Sequence, residues 1–249
     1  MKKIIAIGGG EIGRPGYPIE TTKIDKEIIK LTNKINPRLL FIPTASSDSE
    51  LYFDCVTKHF GKKLKCKVDV LYLLKESPNL KEIKQKILNT DIIYVGGGNT
   101  ALMLKTWKKY KIDKLIKQAY DKGVVLSGLS AGSICWFKCG LSDSNKFSNP
   151  KADLVKISGL GLIKAFHCPH YDFEADRKPQ LKVMMKKEKG IAIAIDNCCA
   201  IEIVDGKYRI IASNPTANAY KVYWKNNKYF EEPIEKTKVF QQLNGLLKK

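Results

Sequence analysis

The sequence predicts an α/β fold: a mainly parallel central sheet flanked by helices, with additional antiparallel strands toward the C-terminus. Two observations carry this. In the first half, short apolar, β-branched runs alternate with longer amphipathic stretches, as strands and helices do in a parallel sheet. After Gly190, apolar runs follow one another closely and Asp205-Gly206 signals a hairpin turn.

Taken in order, Ile4-Ile5-Ala6-Ile7 predicts the first strand, Ile24 to Ile35 a helix, and Arg38 to Ile42 a strand ended by Pro43. Ser49 to Leu64 predicts a helix, Val68 to Leu74 a strand, Leu80 to Leu88 a helix, and Asp91 to Val95 a strand running into Gly96-Gly97-Gly98. Thr100 to Trp107 and Ile112 to Lys122 are expected helices, Val124-Val125-Leu126 a strand, and Ser133 to Lys138 a helical run. Beyond a loop from Gly140 to Lys151, the strands expected are Ile191–Ile195, Cys199–Val204, Tyr208–Ala212 and Tyr220–Trp224. No linker, low-complexity tract or internal repeat divides residues 1–249, so one domain is expected.

At 249 residues, 44% hydrophobic and 28% charged, the chain can bury an enzyme-sized core. Its formal charge of +19 raises the question of a polyanionic partner, but the lysines are scattered and no nucleic-acid motif accompanies them. The runs around Lys62, Lys108 and Lys186 read as solvated surface. Neither nucleic acid nor membrane is expected as a partner, and no apolar run reaches the roughly 18 residues that cross a bilayer. The seven cysteines include no C-x-x-C pair and read as reduced thiols in a cytoplasm. Only four apolar residues follow Met1-Lys2-Lys3, too few for a signal-peptide core.

The sharpest chemical signal is Gly128-Leu129-Ser130-Ala131-Gly132, placed between an expected strand and an expected helix. A nucleophile elbow needs this order, because a tight turn flanked by small residues presents the serine hydroxyl at the strand end. The N–H of Ala131 is then a candidate oxyanion donor. Gly96-Gly97-Gly98-Asn99-Thr100 lies at the end of another strand; it offers Gly97 and Gly98 as further donors and Asn99 as a substrate contact. A glycine turn that merely opens a helix is the plain alternative.

A serine nucleophile needs a base, and the chain has three histidines. His59, on an amphipathic helix, reads as a surface residue, and His167, beside Phe166, as structural; His170, restrained by Pro169, is favoured as the base. The spelling H-x-x-H-x-D from His167 to Asp172 lacks a further ligand set, so no metal is expected. Gly8-Gly9-Gly10-Glu11-Ile12-Gly13 satisfies the dinucleotide-binding spacing. Arg14-Pro15-Gly16-Tyr17-Pro18 cannot continue the helix that would receive a pyrophosphate, so no cofactor is expected.

Together, Gly96 to Thr100, Gly128 to Gly132 and Cys168-Pro169-His170-Tyr171 resemble the S51 serine peptidases, the family of dipeptidase E and cyanophycinase, over Ile4 to about Ile211. The resemblance implies a flavodoxin-like three-layer sandwich akin to class I glutamine amidotransferases. It also implies cofactor-free peptide hydrolysis with Ser130 as nucleophile and His170 as base. Thr100 and Tyr171 join Asn99 as expected substrate contacts. The third triad member is less direct: the family's glutamate aligns with Asn197, with Asp196 beside it, and Asp196 is preferred as the only carboxylate of the two, Asp143, Asp172 and Glu202 remaining open.

The activity implied is that of a dipeptidase or other exopeptidase acting on small peptides next to acidic, Asp-type residues in a basic pocket, with Arg177 as likely to sit on the surface as in the site. The alternative is an inactive relative that binds a small ligand, which Asn197 makes plausible. A homodimer is the possible assembly.

Overall fold

The structure, a computed structural model, describes residues 1–249. Strands β1 (Lys3–Ile7), β2 (Arg38–Ile42), β3 (Lys67–Val70), β4 (Ile92–Val95) and β5 (Val125–Leu129) are separated by helices α1 (Thr22–Lys30), α2 (Glu50–Val56), α3 (Leu80–Leu88), α4 (Thr100–Lys109) and α5 (Ile112–Asp121). A one-turn helix α6 (Ala131–Ile134) leads into β6 (Phe137–Ser142), β7 (Val155–Ser158), β8 (Ile163–Cys168) and α7 (Arg177–Lys187). The chain ends with β9 (Ala192–Ile195), β10 (Cys199–Val204), β11 (Lys207–Ala212), β12 (Ala219–Lys225), β13 (Lys228–Pro233), β14 (Gln241–Gln242) and α8 (Leu243–Leu246).

Two sheets result. The larger has eight strands in the order β14-β11-β10-β1-β5-β4-β2-β3. Its β1-β5-β4-β2-β3 part is parallel, and β10 adds antiparallel to β1. The α/β alternation read from the sequence is this parallel part. Asp205 and Gly206, both at positive φ, make the tight turn joining β10 to β11, where the hairpin signal lies. The smaller sheet has six strands in the order β13-β12-β9-β8-β6-β7, parallel across β6, β8 and β9.

Residue alternation sorts side chains between layers. In β1, Ile4 and Ala6 face a core shared with Met103, Trp107 and Ile116 of the helices and with Phe137, Ile163 and Ile193 of the smaller sheet. Ile5 and Ile7 face the other way, onto Ile24 and Ile28 of α1, Val56 of α2 and Phe60 just beyond it. The far side of the smaller sheet packs Cys139, Phe166 and Ala194 against Leu181 and Met185 of α7.

Three local readings need correction. The helical run expected from Ser133 to Lys138 stops at Ile134, because Phe137 and Cys139 turn inward around exposed Lys138 as the first residues of β6. The helix expected over Ser49 to Leu64 is α2 followed by a π-helical stretch over Thr57–Lys63. That stretch carries His59 inward rather than to the surface: it is 1% exposed, with its ring Nε2 2.7 Å from Asp25 Oδ2. Thr21 donates a second hydrogen bond to the same oxygen at 2.7 Å, while burial pushes the Asp25 carboxyl above its ordinary value. No helix is long and apolar enough to cross a membrane.

A buried histidine and carboxylate without other ionic partners should depend on each other. Asp25→Ala is expected to cost about 3 kcal/mol, read as a lower urea midpoint at unchanged slope. An unmoved midpoint would show that the pair adds no net stability.

Candidate active site

Ser130 follows β5 with φ 54° and ψ −115°, outside the regions open to most non-glycine residues. The turn is built by close packing. A Cβ on Gly128 would lie 2.6 Å from both Gly132 O and Val95 O, and one on Gly132 would run into Val95 of β4. The Ser130 N–H donates to Ile7 O of β1 at 3.2 Å, and its carbonyl accepts the N–H groups of Ser133 and Ile134. The hydroxyl therefore stands at the strand end facing a cavity of about 870 Å³.

His170 lines the same cavity, just beyond β8 and after Pro169. Its φ is 53°, and its N–H donates to Gly8 O at 3.1 Å, tying the end of β8 to the end of β1. The ring Nδ1 is 2.7 Å from Asn197 Oδ1. Burial, then the nearby Arg177 guanidinium, lowers the imidazole pKa, so the neutral, proton-accepting form is favoured. No direct hydrogen bond joins Ser130 to His170, and catalytic contacts of this kind commonly tighten only when substrate binds.

Asp196, preferred from the sequence as the partner of His170, does not reach it. Its Oδ2 accepts the Asn218 N–H at 2.8 Å, and burial raises its carboxyl to about 6. Successive residues leaving β9 point to opposite sides, so the carboxylate and the amide cannot both face the imidazole; Asn197 does. Asp172 fixes that choice by accepting the Asn197 N–H at 2.8 Å. Glu202 is engaged elsewhere, 2.7 Å from Arg209 Nε.

Of the expected oxyanion donors, Gly97 and Gly98 line the cavity. The Gly97 N–H is 3.3 Å from the Tyr52 hydroxyl. Gly98, at φ 132°, packs so closely on the backbone of Ala45 that no side chain fits. Ala131, nearly fully buried, opens α6 directly behind Ser130.

The three expected substrate contacts lie elsewhere. Asn99 caps α4 by accepting the Leu102 N–H. Thr100 is buried against Ser142, and Tyr171 is buried on Tyr220 and Tyr229. His170 takes the left-handed turn, so the next side chain swings back into the core of the smaller sheet. His167 is fully buried too, within 2.8 Å of Ser133 Oγ and 2.9 Å of Ile193 O, and shares no ligand geometry with His170.

Sequence reasoning missed most of the cavity wall. Gly8-Gly9-Gly10, read against a dinucleotide fingerprint, forms the floor under His170. A Cβ on Gly9 would collide with Asn197 Oδ1 and the His170 ring, and one on Gly8 with the backbone of Ile195 and Asp196. No helix follows until Thr22; the intervening loop is closed by an Ile12–Ile19 bridge and lends Glu11, Arg14, Tyr17 and Glu20 to the lining. Asp172 and Glu174 line it as well. The expected basic pocket is absent: Arg14 is the one cationic side chain on the wall and is ion-paired with Glu11. Arg177 is neither in the cavity nor on the surface. It is 1% exposed, holding Glu174 and Leu141 O.

The family described as Peptidase family S51 matches residues 4–211. The chain belongs to this family. Among relatives, the uncharacterized peptidase YgaJ of Bacillus subtilis (strain 168) is 34% identical over 238 residues, 94% of this chain and 97% of that one. The fold is shared with the crystal structure of a peptidase from an acI-B1 Actinobacterium, at TM-score 0.74 and 17% identity over 97% of each chain. A Listeria monocytogenes EGD-e structure aligns at TM-score 0.63 and 22% identity, over 85% of this chain and 98% of that one. As an S51 member the chain is a serine-type peptidase with a flavodoxin-like fold.

The Gly9 floor makes a sharp prediction. Gly9→Ala should push Asn197 and His170 out of line and slow the reaction of the site serine with a fluorophosphonate by about 100-fold, the scale expected for a displacement near 1 Å. Labelling at the wild-type rate would show that the glycine is there for folding alone.

Proposed function

We propose that this S51 peptidase hydrolyses small peptides as a dipeptidase or other exopeptidase, with Ser130 as nucleophile and His170 as general base. The observation that carries the reading is the strained Ser130 at the end of a parallel strand, on one cavity with a pKa-lowered His170. His170 takes the Ser130 proton and the alkoxide attacks the peptide carbonyl. The N–H groups of Gly98 and Ala131, with Gly97 once Tyr52 yields, hold the oxyanion. His170 then returns the proton to the leaving amine, and water, activated by the same ring, releases the acyl group. Asn197 accepts from the imidazole Nδ1–H and sets the tautomer that leaves Nε2 free.

Asn197 also favours a second reading, a binding protein with a weakened centre, because an amide stabilises the imidazolium less than a carboxylate does. Fluorophosphonate labelling separates the two. Wild-type protein should label, and Ser130→Ala should abolish labelling and lower hydrolysis by more than about 10³-fold while moving stability by no more than about 0.5 kcal/mol. A well-folded wild type that neither labels nor hydrolyses peptides establishes the binder.

Asn197→Asp tests the orienting role by pH. The His170 pKa lies below its ordinary value, so the neutral base persists into mildly acidic solution. A carboxylate at 197 stabilises the imidazolium and raises that pKa. The acidic limb of kcat/KM should therefore move to higher pH in the variant. An unmoved limb would separate Asn197 from the base.

A further inference from the structure

The charge of the cavity runs against that of the chain. The sequence carries 44 Lys and Arg against 25 Asp and Glu, yet no lysine lines the cavity that holds Ser130 and His170. Two carboxylates on that wall differ from the other two. Glu11 is paired with Arg14, and Glu174 with Arg177. Glu20 and Asp172 accept only weak or backbone donors: the Glu11 N–H at 2.9 Å with the Cys198 thiol at 3.7 Å, and the Asn197 N–H at 2.8 Å. Neither has a cation within ion-pairing distance.

Their positions converge. Asp172 binds the backbone of Asn197 and Glu20 touches the side chain of Cys198, so the two flank consecutive residues beside His170. The Cys198 thiol is pushed up mainly by burial, with Glu20 and, more weakly, Asp172 adding to the rise. The mouth of the same cavity is apolar, with Tyr17, Leu51 and Phe173 each at least 60% exposed. Exposed, unpaired carboxylates on the cavity wall and exposed apolar groups beside them fit a peptide carrying an ammonium or guanidinium next to an apolar portion.

We propose that Glu20 and Asp172 form a cation subsite, and that the enzyme prefers peptides with a positive group next to the bond cleaved, supplied by a lysine or arginine side chain or by a free α-amino terminus. This rests on the cavity being the peptidase site, and it reverses the acidic preference that resemblance to dipeptidase E implies. An aspartyl side chain would meet two uncompensated carboxylates there, which like-charge repulsion disfavours.

The test is a matched peptide panel at low ionic strength, with lysyl, alanyl or aspartyl at the varied position and each peptide with a free or an acetylated N-terminus. Lysyl peptides are expected to exceed aspartyl ones in kcat/KM by at least about tenfold, with the ratio shrinking in high salt as exposed charges are screened. Loss of rate on acetylating alanyl peptides assigns the cation to the α-amine; a lysyl-over-alanyl ratio that survives acetylation assigns it to the side chain.

Glu20→Gln should narrow the lysyl-to-aspartyl ratio, and Glu20→Lys should invert it. Equal or aspartyl-favouring rates in the wild type overturn the subsite, as does a ratio indifferent to both variants. If no peptide is hydrolysed, the proposed catalytic roles fail. The same ratio read from dissociation constants of the lysyl and aspartyl peptides by calorimetry then decides the subsite alone.

Discussion

The structure depends on the seam between its two sheets. The chain leaves the larger sheet at Leu129 and enters the smaller at Phe137, and it returns from Ile195 to Cys199. Ser130 sits in the first crossing and Asn197 in the second, while His170 ends a strand of the smaller sheet and is tied by its N–H to Gly8 of the larger. A seam of this kind can close only if the strand ends approach at backbone distance. Gly8 and Gly9 stand where a Cβ would strike the opposing segment, and Gly128 and Gly132 where one would strike the Ser130 turn itself or Val95 of β4. The glycines that let the sheets meet are thus the residues that bring the serine, the histidine and the asparagine to one cavity.

That geometry also explains the electrostatics. His170 is buried by the seam, and the nearest fixed cation, Arg177, is itself buried and held by Glu174 and Leu141 O. Both influences favour the neutral imidazole. A carboxylate at position 197 would oppose them; an amide leaves them in force. The ring is therefore kept unprotonated at neutral pH, and an imidazolium formed there is held less firmly. Asp196, although next in sequence to Asn197, is turned away from the histidine: its carboxylate accepts the Asn218 N–H, and burial raises its carboxyl to about 6.

Much of this was legible in the residues, for physical reasons. The strand-to-helix elbow around Ser130 and the hairpin at Asp205-Gly206 are local, since each is decided by backbone sterics within a few residues. The Leu80–Leu88 helix is local as well, closed by the Asn79–Glu82 capping box. What failed depends on distant partners. His59 lies on an amphipathic segment whose π-helical turn carries it to Asp25, a contact across 34 residues of sequence. Arg177 looked as likely to be exposed until the carbonyl of Leu141 supplied a buried acceptor. Asn99, Thr100 and Tyr171 lie close along the chain to cavity-lining residues, but a cap, a buried strand contact and a left-handed turn send their side chains away from the cavity. Proximity along the chain was a poor guide wherever the backbone reverses between one residue and the next.

The glycine run at the first strand shows how one pattern can answer two demands. A dinucleotide site needs G-x-G-x-x-G so that a pyrophosphate can approach the backbone and a helix can follow at once. Here the close approach is real, but what approaches is the chain's own Asn197, His170 and Asp196, and the helix is displaced to Thr22. The residues between, freed from a helix, fold back through the Ile12–Ile19 bridge and place Glu11, Arg14 and Glu20 on the cavity wall. The steric requirement for glycine is common to both arrangements. The proline-rich stretch that follows decides between them, because it rules out the helix and so turns a phosphate cradle into the floor and wall of the cavity that holds Ser130 and His170.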